Sequence, residues 1–206
     1  MTYKTDILID ALLATIRDQR AAAEELRNLP MEQFHQRPEH KRWSVAEVLE
    51  HMNLSSGHYL VRAQRIFATH RNALRKSDTF VPGPMGERMA HAMRPDAQGR
   101  ISWRMRTLWM FEPRTEKVVG HASLDRFLAM LDGFTEVLLL AKEHGWDGPR
   151  VTSTLGPILR FKLGDAIRFP VAHQERHMLQ IQRTLAQVRS YRTTTSLETP
   201  AAAFTK

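Results

Sequence analysis

Apolar residues recur at three- and four-residue spacing in four separate stretches of the chain, the periodicity of helices that bury one face. The first stretch, Thr5 to Leu29, carries Ile7, Leu8, Ala11, Leu12, Thr15, Ala22 and Leu26 on one stripe, and Pro30 stops it. The second has a well-marked start. Ser44-Val45-Ala46-Glu47 is a capping box: the Ser44 hydroxyl accepts from the Glu47 backbone N–H, and the Glu47 side chain returns the bond. Val48, Met52, Ser55, Tyr59, Ala63 and Ile66 form the stripe behind it, and the helix is predicted to reach Leu74. The third stretch runs from Ser123, read as its N-cap, to His144, with Leu124, Phe127, Leu128, Leu131, Phe134, Val137, Leu138 and Ala141 apolar; Gly145 suits the position just past a helix end. The fourth spans Lys162 to Arg189, with Ile167, Val171, Met178, Ile181, Leu185 and Val188, and Pro170 inside it predicts a kink or a shifted start.

The segments between are of different character. Met31 to Arg42 is polar, holds Pro38 and reads as a connection. Residues 77–120 form a long insert between the second and third helices, punctuated by Pro82, Pro84, Pro95 and Pro113 and by Gly83, Gly86, Gly99 and Gly120. A short helix over Met85 to Met93 and an extended run over Ile101 to Phe111 are predicted within it. So long a stretch is seldom structureless inside a compact domain, so it is expected to pack over the core or over a neighbouring chain. Trp103, Met105, Leu108, Trp109, Met110 and Phe111 serve such packing, a pocket wall or a homodimer interface equally well. Gly145 to Leu159 is a turn-rich link, and residues 190–206, polar and rich in Ala and Thr, read as a flexible tail. The pattern predicts an all-α fold, an antiparallel four-helix bundle formed by one domain over residues 1–189.

Composition adds exclusions. The chain has 206 residues and no cysteine, which removes disulfides, a cysteine nucleophile, iron–sulfur clusters and Cys-ligated zinc. Any metal site must draw on imidazole and oxygen. The longest apolar run, Val137 to Ala141, is far too short to span a membrane. The N-terminal stretch carries acids among its apolar residues and lacks a small-residue cleavage site, so a soluble cytoplasmic protein is expected. Thirty Lys and Arg against 22 Asp and Glu give a net charge of +8. Five of the cations (Arg62, Arg65, Arg71, Arg75, Lys76) fall together without an acid, yet no nucleic-acid motif accompanies them. A solvated helical face accounts for them better than a nucleic-acid surface.

Ten histidines remain. His173 and His177, four apart on the last helix, share one face, so both imidazoles can reach one ion. Chance alone supplies about half such a pair in a chain of this composition, so the pair says little by itself. His51 lies on the core side of the second helix with Val48 and Ser55, where its ring nitrogens need partners. A metal on one nitrogen and an acceptor on the other would serve, and so would a backbone carbonyl or a water. Glu47, one turn before His51, is a candidate for that acceptor, although the capping box already explains it. Ser55, His58 and Arg62 continue the His51 face as possible pocket residues, with His58 a conceivable fourth ligand. Glu175 falls on the outer face, and Gln180 reads as a hydrogen bonder in the core.

Trp43-Ser44-Val45-Ala46-Glu47-Val48-Leu49-Glu50-His51 resembles the WS-x-x-E-x-x-x-H segment of the DinB-like (DinB/YfiT) superfamily. His173-Gln174-Glu175-Arg176-His177-Met178-Leu179-Gln180-Ile181 is similar to that family's H-x-x-x-H-x-x-Q-I segment, and the two occur in the family's order. The resemblance covers Thr5 to Arg189. It implies an up-down-down-up four-helix bundle and a divalent metal, zinc or nickel, on His51, His173 and His177. The insert over 77–120 matches nothing in the family pattern. Some relatives transfer or isomerise with a low-molecular-weight thiol, which makes a small-thiol-dependent S-transferase acting on a small-molecule substrate the leading expectation. A hydrolase using metal-bound water is the alternative, and a non-catalytic helical module binding a ligand or partner is a reading of another class. No Ser-His-Asp order, P-loop or G-x-G-x-x-G motif supports triad or nucleotide chemistry.

Overall fold

The computed structural model describes residues 1–197 except 102, 104, 105, 115–117, 155 and 157, with backbone alone for 191–197. Among the described residues there are six helices: α1 (Thr5–Glu25), α2 (Met31–His35), α3 (Val45–Thr69), α4 (Pro84–Met93), α5 (Ala122–His144) and α6 (Leu163–Leu197). Four very short strands accompany them: β1 (Tyr3–Lys4), β2 (Thr79–Phe80), β3 (Arg150–Thr152) and β4 (Arg160–Lys162). The protein is mostly helical. None of these helices is long and apolar enough to cross a membrane.

α3 packs against both α5 and α6, and α1 packs against the same two. The shared core holds Ile9, Leu12 and Ile16 from α1, Val48, Leu49, Met52 and Tyr59 from α3, Leu124, Phe127, Leu131, Phe134 and Val137 from α5, and Ile167, Val171 and Ile181 from α6. Each such side chain contributes roughly 1.5–3 kcal/mol on burial, which is what selects these helix faces.

The α1 stripe is rotated from its predicted position. The buried set is Thr5, Ile9, Leu12, Ile16, Gln19 and Ala23, whereas Ile7 is exposed. Two polar residues belong to the buried face, so counting apolar letters alone misplaces it. α3 begins at the capping box as expected, with Glu47 N on Ser44 Oγ at 3.3 Å and Ser44 N on a Glu47 carboxylate oxygen at 2.9 Å. It ends at Thr69, and Arg71–Ala73 make a 3₁₀ turn rather than more α-helix. α5 takes His121, not Ser123, as its N-cap; Ser123 is already inside the first turn and buried. Gly145 ends α5 with φ 82°, and a Cβ there would stand 2.2 Å from the Arg75 carbonyl oxygen, so only glycine fits that close approach. α6 starts at Leu163, so Pro170 lies inside the helix and does not shift its start. The helix continues to Leu197, eight residues past the predicted end; nothing between Ser190 and Leu197 is a Pro or Gly that would stop it. The rest of the expected tail, residues 198–206, lies outside the described residues.

The strands are additions to the all-helical expectation. β1 pairs antiparallel with β2, tying the N-terminus to the segment after α3, and β3 in the turn-rich link pairs antiparallel with β4, which follows the link and takes in Lys162, the predicted first residue of the last helix. Val151 and Phe161 bury one face of the β3–β4 pair, and Phe161 stacks on Tyr59 of α3 at 6.2 Å between ring centroids.

The α3–α5 connection packs over the core of its own chain. Pro84 at the first helical position and Gly83 before it start α4, which lies on α6. Beyond α4 the chain is strapped to α6 by Arg94 to Glu175 (2.9 Å), Arg176 to the Trp103 carbonyl (2.7 Å) and Arg183 to the Gly99 carbonyl (2.6 Å). The predicted extended run over 101–111 includes positions outside the described residues; its end, Trp109–Phe111, is a 3₁₀ turn packed against α3.

Candidate metal centre

His51 projects from the second turn of α3 into the space between α3 and α6, with 4% of its surface exposed. Its direction follows from the capping box, which sets the start of the helix and therefore the face on which each later residue lies. His173 and His177 come from one face of α6, one helical turn apart. The ring centroids are separated by 4.7 Å (His51–His177), 5.2 Å (His51–His173) and 4.4 Å (His173–His177). One ring nitrogen from each histidine lies within 4.8 Å of the other two. The His173 and His177 Nε2 atoms are 3.0 Å apart.

The outer nitrogens of two rings are held. His51 Nδ1 donates to the Phe111 carbonyl oxygen at 2.8 Å, which leaves Nε2 as its free donor atom. His177 Nδ1 donates to Gln180 Oε1 at 2.8 Å, fixing its ring in the same way. The Trp43 ring lies against His51 at 5.0 Å, and the Phe169 ring stacks on His173 at 6.1 Å.

Burial disfavours protonation of all three rings. Desolvation pushes the pKa values of His173 and His177 well below the ordinary 6.5, and the neighbouring imidazoles push further in the same direction. His51 is lowered as well, first by burial, against which its bond to Phe111 acts. Neutral imidazole is the form that ligates a metal. The donor set therefore fits a divalent ion. Zinc–nitrogen bonds of about 2.0–2.1 Å place tetrahedral ligand atoms roughly 3.4 Å apart, close to the spacing of the His173–His177 pair.

The histidines open onto a cavity of about 230 Å³, lined also by Trp43, Tyr59, Phe111, Arg106, Arg176 and Phe169. A family model for the DinB superfamily matches residues 14–181. The chain belongs to the DinB superfamily. All three histidines, Phe111 and Gln180 fall inside the matched region. No curated protein and no solved structure matches the chain.

The other candidate residues separate. Ser55 lines the cavity and bonds back to the His51 carbonyl at 2.8 Å, which occupies its hydroxyl proton. Glu47 does not line it. Its carboxylate takes Arg37 Nε at 2.8 Å and the Ser44 amide, and Phe111, not Glu47, supplies the His51 acceptor. His58 faces the β3–β4 hairpin, with Nε2 on the Thr152 carbonyl at 3.0 Å, and lies outside the three-histidine group. Arg62 is exposed and reaches back to the His58 carbonyl. Glu175 is on the outer face as expected, paired with Arg94. Gln180 serves the site directly rather than the core, and its place three residues after His177, one turn on, is the signal that could have shown it. A backbone carbonyl such as that of Phe111 leaves no mark in the side-chain pattern, so sequence reasoning had no way to find it.

Proposed function

We propose that this DinB-superfamily protein is a metal-dependent enzyme in which His51, His173 and His177 hold a divalent ion, zinc or nickel. The observation that carries the reading is the convergence of three neutral imidazoles at one cavity wall, two with their remaining nitrogens already engaged. Three protein ligands leave a position open to a substrate, the arrangement of catalytic rather than structural sites. A bound divalent ion supplies Lewis acidity, polarising an electrophilic oxygen and favouring deprotonation of a thiol or water. The chain does the rest. Phe111 and Gln180 orient two of the ligand rings. Trp43 and Phe169 flank the imidazoles and keep bulk water from them. The Tyr59 hydroxyl, at the cavity wall, bonds to those of Thr154 and Ser153 with O–O distances of 2.9 and 3.1 Å, a linked set that could relay a proton.

The preferred reaction is transfer of a small thiol onto an electrophile. The cysteine-free chain supplies no sulfur nucleophile, so a bound small molecule must. This reading includes an up-down-down-up four-helix bundle of α1, α3, α5 and α6 as one domain over residues 1–189, in the cytoplasm, acting on a small-molecule substrate. Untagged protein purified without chelator is expected to carry near-stoichiometric metal, and turnover is expected only with added thiol. Hydrolysis of an ester or amide in thiol-free buffer would shift the reading to a hydrolase. A fourth ligand from the protein itself in a metal-soaked crystal would make the centre structural and the protein a non-catalytic binder.

A further inference from the structure

Beyond the far end of α3 lies a second hollow, a groove of about 510 Å³. The chain after α3, the chain after α5 and the residue before α6 enclose it, and its charged residues are Arg75, Lys76, Arg150, Lys162 and Asp147. None of the residues that line it lines the histidine cavity.

The walls are fixed by backbone contacts. Arg75 and Asp147 exchange amide-to-carbonyl bonds of 3.0 and 3.3 Å. Gly148, with φ 112°, allows the two segments to meet, since a Cβ there would stand 2.5 Å from the Ala73 carbonyl oxygen. On the third wall, Arg150 and Lys162 stand directly opposite each other in the β3–β4 register. Val151 and Phe161 take the buried face of that pair, so Arg150, Arg160 and Lys162 share the outer one. Like charges opposed across two strands destabilise the pairing, and these strands have only three residues each.

The repulsion is not neutralised among the described residues. The side chains of Arg75, Lys76 and Arg150 have no hydrogen-bond or ion-pair partner there, and Asp147 pairs with none of them. Lys162 gives Nζ to a neutral acceptor, the Val81 carbonyl oxygen, at 2.5 Å. Glu116 and Glu198, the carboxylate residues outside the described set, adjoin in sequence the start of α5 and the end of α6. The groove is at the opposite ends of those helices of 23 and 35 residues, about 34 and 52 Å away and out of their reach. Arg75, Lys76 and Arg150 are exposed, so water suffices for each of them singly. Their convergence with Lys162 on pinned walls around one hollow is what a multiply charged anion can use.

We propose that this groove binds a phosphate group, free or carried by a small molecule, with Arg150 and Lys162 on its oxygens and Arg75 and Lys76 beside it. A phosphate monoester brings about 1.5–2 negative charges and three strong acceptor oxygens, against the single charge of a carboxylate. Guanidinium and ammonium donors suit those oxygens. The groove has the volume of a small-molecule site, within the roughly 300–1,000 Å³ usual for one. The site stands whether or not the three histidines hold a metal.

Amide chemical shifts of the full-length protein, titrated at low ionic strength with phenyl phosphate, inorganic phosphate and benzoate, test this. Phenyl phosphate is expected to move the amides of Ser77, Thr79, Gly148 and Arg150 saturably at millimolar concentration. It should bind about tenfold more tightly than benzoate, and added salt should weaken it. Equal affinity for inorganic phosphate assigns the site to the free anion, and tighter binding of phenyl phosphate assigns it to an ester; either supports the proposal. Arg150→Gln and Lys162→Gln are each expected to weaken binding severalfold. Without ligand, Arg150→Gln should keep or raise the thermal midpoint, because it removes a like-charge pair, so its loss of binding is not loss of fold. The proposal is overturned by the absence of saturable shifts in the groove, by equal affinity for phenyl phosphate and benzoate, or by binding untouched in both variants. A lowered midpoint in Arg150→Gln, which would make the residue structural, overturns it too. So do shifts confined to Trp43, His51 and His177, which would put the phosphate at the histidines. A short oligothymidylate that binds where phenyl phosphate does not would make the groove a nucleic-acid surface instead.

Discussion

At the residue scale, the proposed metal centre depends on atoms that would not themselves touch an ion. Gln180 fixes His177 through a 2.8 Å bond. Gln180→Ala is expected to lower zinc affinity on the order of tenfold while leaving the helical circular dichroism unchanged, as competition against a chromophoric chelator will show. His51→Ala and His177→Ala go further and are expected to abolish near-stoichiometric metal; full metal content in both would refute the ligand assignment. The burial of the imidazoles also sets a pH dependence for the metal-free protein. Their folded pKa values lie below 6.5, so between those values and 6.5 the unfolded chain binds more protons than the folded one. Stability is then full above pH 6.5 and declines as pH falls through the folded values. Urea titrations in chelator at pH 8 and pH 5.5 should show a lower midpoint in acid, and zinc should move the decline to lower pH because protons must then displace the ion. His173 and His177 were legible as a pair because spacing on a helix converts directly into a shared face, but only the resemblance of the two segments to the DinB-like pattern joined His51 to them. Glu47 was legible only in its capping role, since two functions were open to one carboxylate and the chain used it for Arg37 and the Ser44 amide.

At the scale of elements, the long helices were readable wherever their buried faces are written in apolar letters. α5 shows this best, with every residue of its predicted stripe buried. α1 was misphased because Thr5 and Gln19 sit in its buried face, and β1–β4 escaped notice because strands of two or three residues carry no period. The start of α3 joins fold to site. Glu47 is 2% exposed, holds the Ser44 amide and pairs with the Arg37 guanidinium, whose pKa is raised chiefly by that bond. Glu47→Ala removes the returning half of the capping box and leaves Arg37 without this carboxylate. The expected cost is about 2–3 kcal/mol, read from chemical denaturation. His51 lies one turn further along, so zinc affinity should fall as well, by less than in His51→Ala. Wild-type stability in Glu47→Ala would show that the box adds little to the fold.

At the scale of the whole molecule, the α3–α5 connection supplies part of the cavity wall, and one of the clusters that pin it lies away from the histidines, in the first turn of α6. Asp165, fully buried in the first turn of α6, accepts from the Gly83 amide at 2.7 Å and from Arg168 at 3.0 Å. Arg168 reaches on to Glu87 at 2.7 Å, Glu87 takes the Tyr3 hydroxyl, and the Arg168 guanidinium lies 4.7 Å from the centre of the Tyr3 ring. One polar cluster thus joins β1, α4 and α6. Gly86 leaves room for it, since a Cβ there would fall 2.3 Å from Asp165 Cγ. The sequence shows these residues only as scattered charges, because the cluster exists through contacts between positions about eighty apart. Asp165→Ala would take one of its two carboxylate partners from the buried Arg168 guanidinium and the acceptor from the part-buried Gly83 amide, a loss of about 2–3 kcal/mol. The more informative variant is Gly86→Ala, which keeps every charge and pushes α4 off α6. Its consequence should travel along the chain: α4 leads into the segment that ends at Phe111, and Phe111 holds His51. Hydrogen exchange is expected to quicken from Pro84 to Phe111, and zinc affinity to fall, with the cores of α1 and α5 keeping their protection. Uniform loosening of the molecule would instead mean that the connection and the core unfold as one unit, and that the wall of the cavity is no more adjustable than its floor.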